Sequence, residues 1–347
     1  ATTASAVQSF TVGSSVLHVS LAATPQWPYD NWDCAFTNLQ EAVDHARDGY
    51  TILVSNGVYA GATLAVDEEI RLESLNGPEV TLVNGQGARR CLSLTAEAFV
   101  SGFTFQGGYS TGSGGAVSMS AGVLSNCVIR ASDSAAHGGG LHLTGGTVDR
   151  TRIDSCFATH YGGGVLQEGG TLRNSVVCFN LSRSDGGGIE FWGGELIHCT
   201  LTLNHSGGYG GGLDVGGDGL ILNNIIHGNT SQGEGHDWYK WEPVALLYCC
   251  TSPDPGDAGS FEADPLFADT PGRDFHLQSE VGRFTESGWT NDAASSPCID
   301  RGAPGVDWSA EPEPNGGRVN VGAFGGTEEA SMSPELAIDP ALTNLPA

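Results

Sequence analysis

The chain has 347 residues and a formal net charge of −26, from 40 Asp and Glu against 14 Lys and Arg, with Lys240 its only lysine. That balance excludes nucleic acid as a partner, because phosphate binding needs clustered cations that displace counterions. No apolar run approaches the ~18 residues of a membrane span, and no charged, apolar leader stands at Ala1, so the chain reads as a processed form without a membrane span.

In chain order, residues 1–50 form an N-terminal segment that closes with a helix. Asp33 is placed to cap it over Cys34 to Arg47, with Phe36, Leu39, Ala42, Val43 and Ala46 on one face and Gly49 as the stop. This helix is expected to be a lid, because stacked strands expose raw backbone edges to which other strands add. Short β runs follow at Thr51 to Val54, Thr63 to Val66, Ile70 to Ser74 and Val80 to Val83.

From about Ala98 the chain repeats. Gly138-Gly139-Gly140 recurs at Gly162 to Gly164, Gly186 to Gly188 and Gly210 to Gly212, preceded by Gly114-Gly115-Ala116, at intervals of 24 residues. Such a phase stacks residues 24 apart in successive coils of a solenoid. The columns are apolar where a core is needed: Val100, Leu124, Val148, Leu172, Leu196, Leu220; Phe105, Ile129, Ile153, Val177, Leu201, Ile225; Val117, Leu141, Val165, Ile189, Leu213. Alternation within a coil, as in Leu141-His142-Leu143, has the strand period of two, and the glycine runs exclude helical repeats. The fold class is therefore all-β: a single-stranded parallel β-helix over residues 51–248, one continuous domain. Its six regular coils, Ala98 to Trp241, span on the order of 29 Å.

Regularity fails at Glu234-Gly235-His236. Residues 249–326 carry most prolines and read as an irregular C-terminal cap whose last strand is Val319 to Phe324; residues 327–347 read as an acidic tail. Nine scattered cysteines make neither a disulfide framework nor a zinc site. Cys127 and Cys199 share a column with Phe103, Thr151, Ser175 and Asn223, as small core residues. The vicinal Cys249 and Cys250 flank the end of the rod, and one of them is expected to bond Cys298, pinning the C-terminal segment.

A site on such a rod is built from outward columns. One presents Ser118, His142, Leu166, Glu190 and Asp214; the position before each glycine turn presents Ser113, His137, Tyr161, Asp185 and Tyr209. His137 and Tyr161, with His160 beside them, suit the base and acid of a uronate elimination. Asp185 would orient Tyr161 or hold a cation, and Arg152 or Arg183 would neutralise a substrate carboxylate. Tyr209, Trp238 and Tyr239, with the same arginines, are candidate sugar contacts, although for Trp238, Tyr239 and Trp241 sealing of the last coil is the favoured role. Glu190 and Asp214, one coil apart, suit either a glycosidase pair or a Ca²⁺ site, and Ca²⁺ is the one cofactor this composition would favour.

Asn38-Leu39-Gln40-Glu41-Ala42-Val43-Asp44, then Asp48 to Val54 and Gly57-Val58-Tyr59, resembles the lid and first coil of secreted bacterial right-handed β-helix proteins of the pectate-lyase-like superfamily. Gly170 to Ser175, Tyr248-Cys249-Cys250-Thr251, Asp264-Pro265-Leu266-Phe267, Asp274-Phe275-His276-Leu277 and Ser296 to Asp300 are similar to planctomycete and verrucomicrobial β-helix families. Asn180-x-Ser182 before Gly186-Gly187-Gly188-Ile189 is similar to repeats of chlamydial polymorphic outer-membrane proteins, without their C-terminal barrel. The resemblance implies a right-handed coil and secretion, and leaves activity open.

Two functions follow. The first is a secreted or cell-surface protein acting as adhesin, glycan-binding module or structural component of an extracellular layer or filament. Its partner would be a polysaccharide or cell-surface component, with end-to-end or tail contacts between copies. The alternative is a polysaccharide lyase acting on an acidic glycan by β-elimination. Homogeneous columns without long insertions leave little material to wall a catalytic groove, which favours the first.

Overall fold

The computed structural model describes residues 15–333. Residues 1–14 and 334–347, the ends of the expected N-terminal segment and acidic tail, lie outside it. The chain is a right-handed parallel β-helix of four parallel sheets. A ten-stranded sheet runs from Val16–Val19 to Leu246–Leu247, and a nine-stranded sheet from Gly57–Ala60 to Cys250–Thr251. An eight-stranded sheet runs from Leu64–Val66 to Trp238–Lys240, and six two-residue strands stack from Tyr109–Ser110 to Thr230–Ser231. Ten strands at ~4.8 Å make the rod about 43 Å long, longer than the regular coils alone suggest.

Each coil turns where the backbone takes a left-handed conformation. In the third regular coil these residues are Arg150 (φ +45°), Ser155 (+56°) and Gly162 (+65°). Between the corners the strands alternate, and the inward columns are fully buried: Leu124, Val148, Leu172, Leu196; Ile129, Ile153, Val177, Leu201; Val117, Leu141, Val165, Ile189, Leu213. The 24-residue register holds from Val123↔Thr147 to Thr171↔Glu195, then becomes Glu195↔Leu220 and Leu213↔Trp238. The three residues Trp192 to Gly194 are replaced one coil later by the four from Gly216 to Gly219, an insertion of one. This corrects the last members of three columns: Ile221, Ile226 and Asn224 continue them, rather than Leu220, Ile225 and Asn223.

The lid helix is shorter than expected, Leu39–His45, and is capped by Asn38 rather than Asp33. Asn31 explains the difference, since its side chain accepts from the amides of Asp33 and Cys34 and holds that stretch in a turn. Phe36 then bridges to Val19 as extended chain. Gln40 serves the lid directly, because its amide accepts from Ala65 N–H (2.8 Å) and donates to Ala65 O (3.1 Å). It thereby occupies the open edge of the eight-stranded sheet, where a foreign strand would add.

The C-terminal segment returns along the outer face of the nine-stranded sheet. The amide of Asn174 donates to Ala323 O (3.1 Å) and Gly325 O (2.8 Å), and Ala323 N–H donates to Thr200 Oγ1 (3.0 Å). Phe275 and Ala323 bury Val176 and Cys178. Val319 to Phe324 is not a strand, contrary to expectation: Val321 N–H bonds Cys298 O and Gly322 N–H bonds Asn223 O, so its backbone groups are spent on two different partners. The tail is packed up to 333, with Ser331 Oγ donating to Leu277 O (2.6 Å). All nine cysteines are free thiols. Cys298 lies against Cys250, with which it shares a hydrogen bond, whereas Cys249 faces the core. Burial pushes the thiols of Cys91, Cys127, Cys178, Cys199 and Cys249 up to about 12, which leaves them inert small core side chains.

Candidate functional site, a ring and carboxylate stripe

The glycine corners align the two outward columns into one stripe along the rod. At its upper end His137 and Tyr161 are stacked, with centroids 5.0 Å apart at 10°, and His160 is 5.4 Å from His137. Close by, His142 Nε2 and Glu168 Oε2 are hydrogen-bonded at 2.6 Å. Burial, then the neighbouring His160, holds the His137 imidazole below its usual range, so it is neutral near pH 7. Its Nδ1 accepts the Tyr161 backbone N–H (3.3 Å), which leaves the ring proton on Nε2. The ring therefore offers an N–H to a ligand, and not the lone pair a base requires.

Two coils beyond His137, Asp185 repeats this role: its Oδ1 accepts the Tyr209 N–H (2.7 Å) rather than orienting Tyr161. Beyond it stands an aromatic group in mutual contact. Tyr209 lies 4.7 Å from Tyr239 and 5.4 Å from Trp241, and Tyr239 lies 5.0 Å from Trp241. Trp241, for which the sequence allows either sealing or sugar contact, is 56% exposed and belongs to this group. Trp238 faces the other way, packing on the core and donating its indole N–H to Pro253 O (2.9 Å).

Glu190 and Asp214 sit beneath these rings, paired across adjacent strands and only 2% and 1% exposed. Burial, then the facing Asp214 and Asp185, pushes Glu190 up to about 9; burial pushes Asp214 up to about 6. Asp214 accepts the Trp241 indole N–H (3.1 Å), but Glu190 Oε2 and Asp214 Oδ1 have no donor among the described residues. The pair satisfies itself when one proton is shared between the two carboxyls, and burial favours that state. Among the described residues no group of three or more His, Cys, Asp or Glu converges as a metal site.

The arginines separate. Arg183 stays on the corner, over the Phe157 ring at 5.5 Å. Arg152 belongs to the nine-stranded sheet, a different face, where it pairs with Asp154 (3.0 Å). There it lines a cleft with Arg150 and Arg273, a grouping that column reading missed.

Residues 252–302 match a family model described as Disaggregatase related, a small part of the chain. Among curated proteins none matches. Two solved structures resemble this one. A pectate lyase has a TM-score of 0.45 at 12% identity, covering 90% of this chain and 96% of its own. Carrot pectin methylesterase has a TM-score of 0.37 at 14% identity, covering 83% and 91%.

Proposed function

We propose that the protein is a secreted or cell-surface β-helix that binds a glycan lying along the rod, across the stripe from His137 to Trp241. The observation that carries this reading is the exposed group of Tyr209, Tyr239 and Trp241 in line with the His137–Tyr161 stack. Aromatic faces pack on sugar C–H surfaces, while the neutral imidazole N–H and the phenol hydroxyls serve the ring oxygens. The buried carboxyl pair supports the platform, because its Asp214 fixes the Trp241 indole.

Tyr209→Ala is expected to weaken retention by a polysaccharide panel in affinity electrophoresis by about tenfold, through lost stacking area. Trp238→Ala, on the inward side, should instead lower stability. Equal retention of the Tyr209 variant on every glycan sinks the reading. An unsaturated uronate product that forms with the parent and vanishes with His137→Ala replaces it with β-elimination.

A further inference from the structure

Thirteen arginines and one lysine are all the fixed cations of the chain, and three of the arginines line one cleft of about 490 Å³ between the rod and the returning C-terminal segment. That volume lies within the roughly 300–1,000 Å³ of small-molecule sites. Asn126 and Thr151 lie on one wall, and Phe275 and Phe324 on the other. A wall of amide and hydroxyl opposite a wall of rings suits a hydroxylated ring with one apolar face.

Arg150 occupies a strained corner. Its φ is +45°, and the same corner one coil on either side holds Asn126 (+49°) and Asn174 (+45°), with His198 (+49°), Asn223 (+58°) and Tyr248 (+51°) further along. Asparagine visits this region by bonding locally, whereas a longer side chain meets a penalty of about 1–2 kcal/mol there.

The charges are arranged unevenly. Arg152 Nε and Arg273 share one buried carboxylate, Asp154, so two guanidiniums meet one anion. The terminal nitrogens of Arg152 have no protein partner among the described residues. Arg150 holds Glu328 in a two-pronged pair (2.9 and 3.0 Å), with side chains 48% and 63% exposed. So exposed a pair is worth about 0–1 kcal/mol and exchanges readily. Glu329 also lines the cleft, with its carboxylate 3.6 Å from His276 Nε2.

We infer that this cleft binds a single acidic sugar unit by its carboxylate, with Arg150 and Arg152 as the fork and Glu328 as an internal competitor for it. A planar guanidinium matches a carboxylate in two parallel bonds. The net charge of −26 repels a polyanion from the surface at large, so the site suits one terminal residue rather than an extended acidic chain. It lies on a different face from the ring stripe and is independent of it.

The test is calorimetric titration of the full chain with sodium glucuronate, with glucose as the neutral control. Glucuronate is expected to bind and glucose to give no saturable heat. Glu328→Gln should strengthen glucuronate by up to about fivefold. Arg150→Asn restores the residue of the adjacent coils, keeps the fold, and should weaken binding by about tenfold or more. Equal heats for glucose and glucuronate, or parent-like binding by Arg150→Asn, overturn the inference.

Discussion

Raising the pH from 5 to 9 is expected to destabilise the rod, and Glu190→Gln to remove much of that loss. Glu190 carries its proton up to about 9 in the folded chain, against 4.5 for an ordinary glutamate, because it is buried and faces Asp214 and Asp185. The folded state therefore binds this proton more tightly than the unfolded state. Its contribution is complete below 4.5 and is lost as pH climbs toward 9. Each unit in that window removes about 1.4 kcal/mol, so the whole interval amounts to several kcal/mol. Asp214, raised to about 6 from 3.8, adds loss at the acidic end. Glu311, raised to about 7 by burial, gives a background slope that the variant retains. The side-chain amide introduced by Glu190→Gln is neutral at every pH and still reaches Asp214, so the difference between variant and parent isolates the pair. Urea denaturation at pH 5, 7 and 9 measures it. Curves that stay parallel across the range show that the carboxyls share no proton.

The rod was legible because a 24-residue phase writes the core as columns, and Leu141, Val165 and Ile189 do pile in the interior. The same periodicity gave the His137–Tyr161 stack and the Glu190–Asp214 pair, since outward neighbours follow from register. It failed where register failed: one residue added between Gly216 and Gly219 shifts every later column, and nothing in composition marks such an insertion. Local chemistry was the second limit. Asn31 and Asn38 both precede the helix, and only geometry decides which amides each one takes. The arginine cleft was hidden for a third reason. Arg150 and Glu328 are 178 positions apart, joined by a chain that doubles back along the rod, and no repeat relates them. Yet Arg150 stands between Asn126 and Asn174 in its column, and that placement of a cation was present in the sequence.

Gly187→Ala is expected to be a strongly damaging addition of a single methyl to the coil. Gly187 is not in the left-handed region, so its backbone alone would accept alanine. What excludes the methyl is the next coil: an added Cβ would lie 2.3 Å from Gly211 O and 2.4 Å from the carbonyl carbon of His205. Both are backbone atoms fixed in turn, since Gly187 N–H bonds Gly210 O (3.0 Å) and Gly211 N–H bonds Gly235 O (3.0 Å). Relief requires the coils to separate, which breaks this ladder and shears the columns on either side of it. A cost of about 3 kcal/mol or more follows from overpacking in a site that cannot relax. Gly77→Ala is the matched control: φ is +85° there, but nothing lies within 4 Å of the new methyl. Only the conformational penalty of about 1–2 kcal/mol applies. Urea midpoints should therefore fall further for Gly187→Ala than for Gly77→Ala. The reverse order would mean that the corner glycines are kept for their dihedral angles, and that the coils have slack between them.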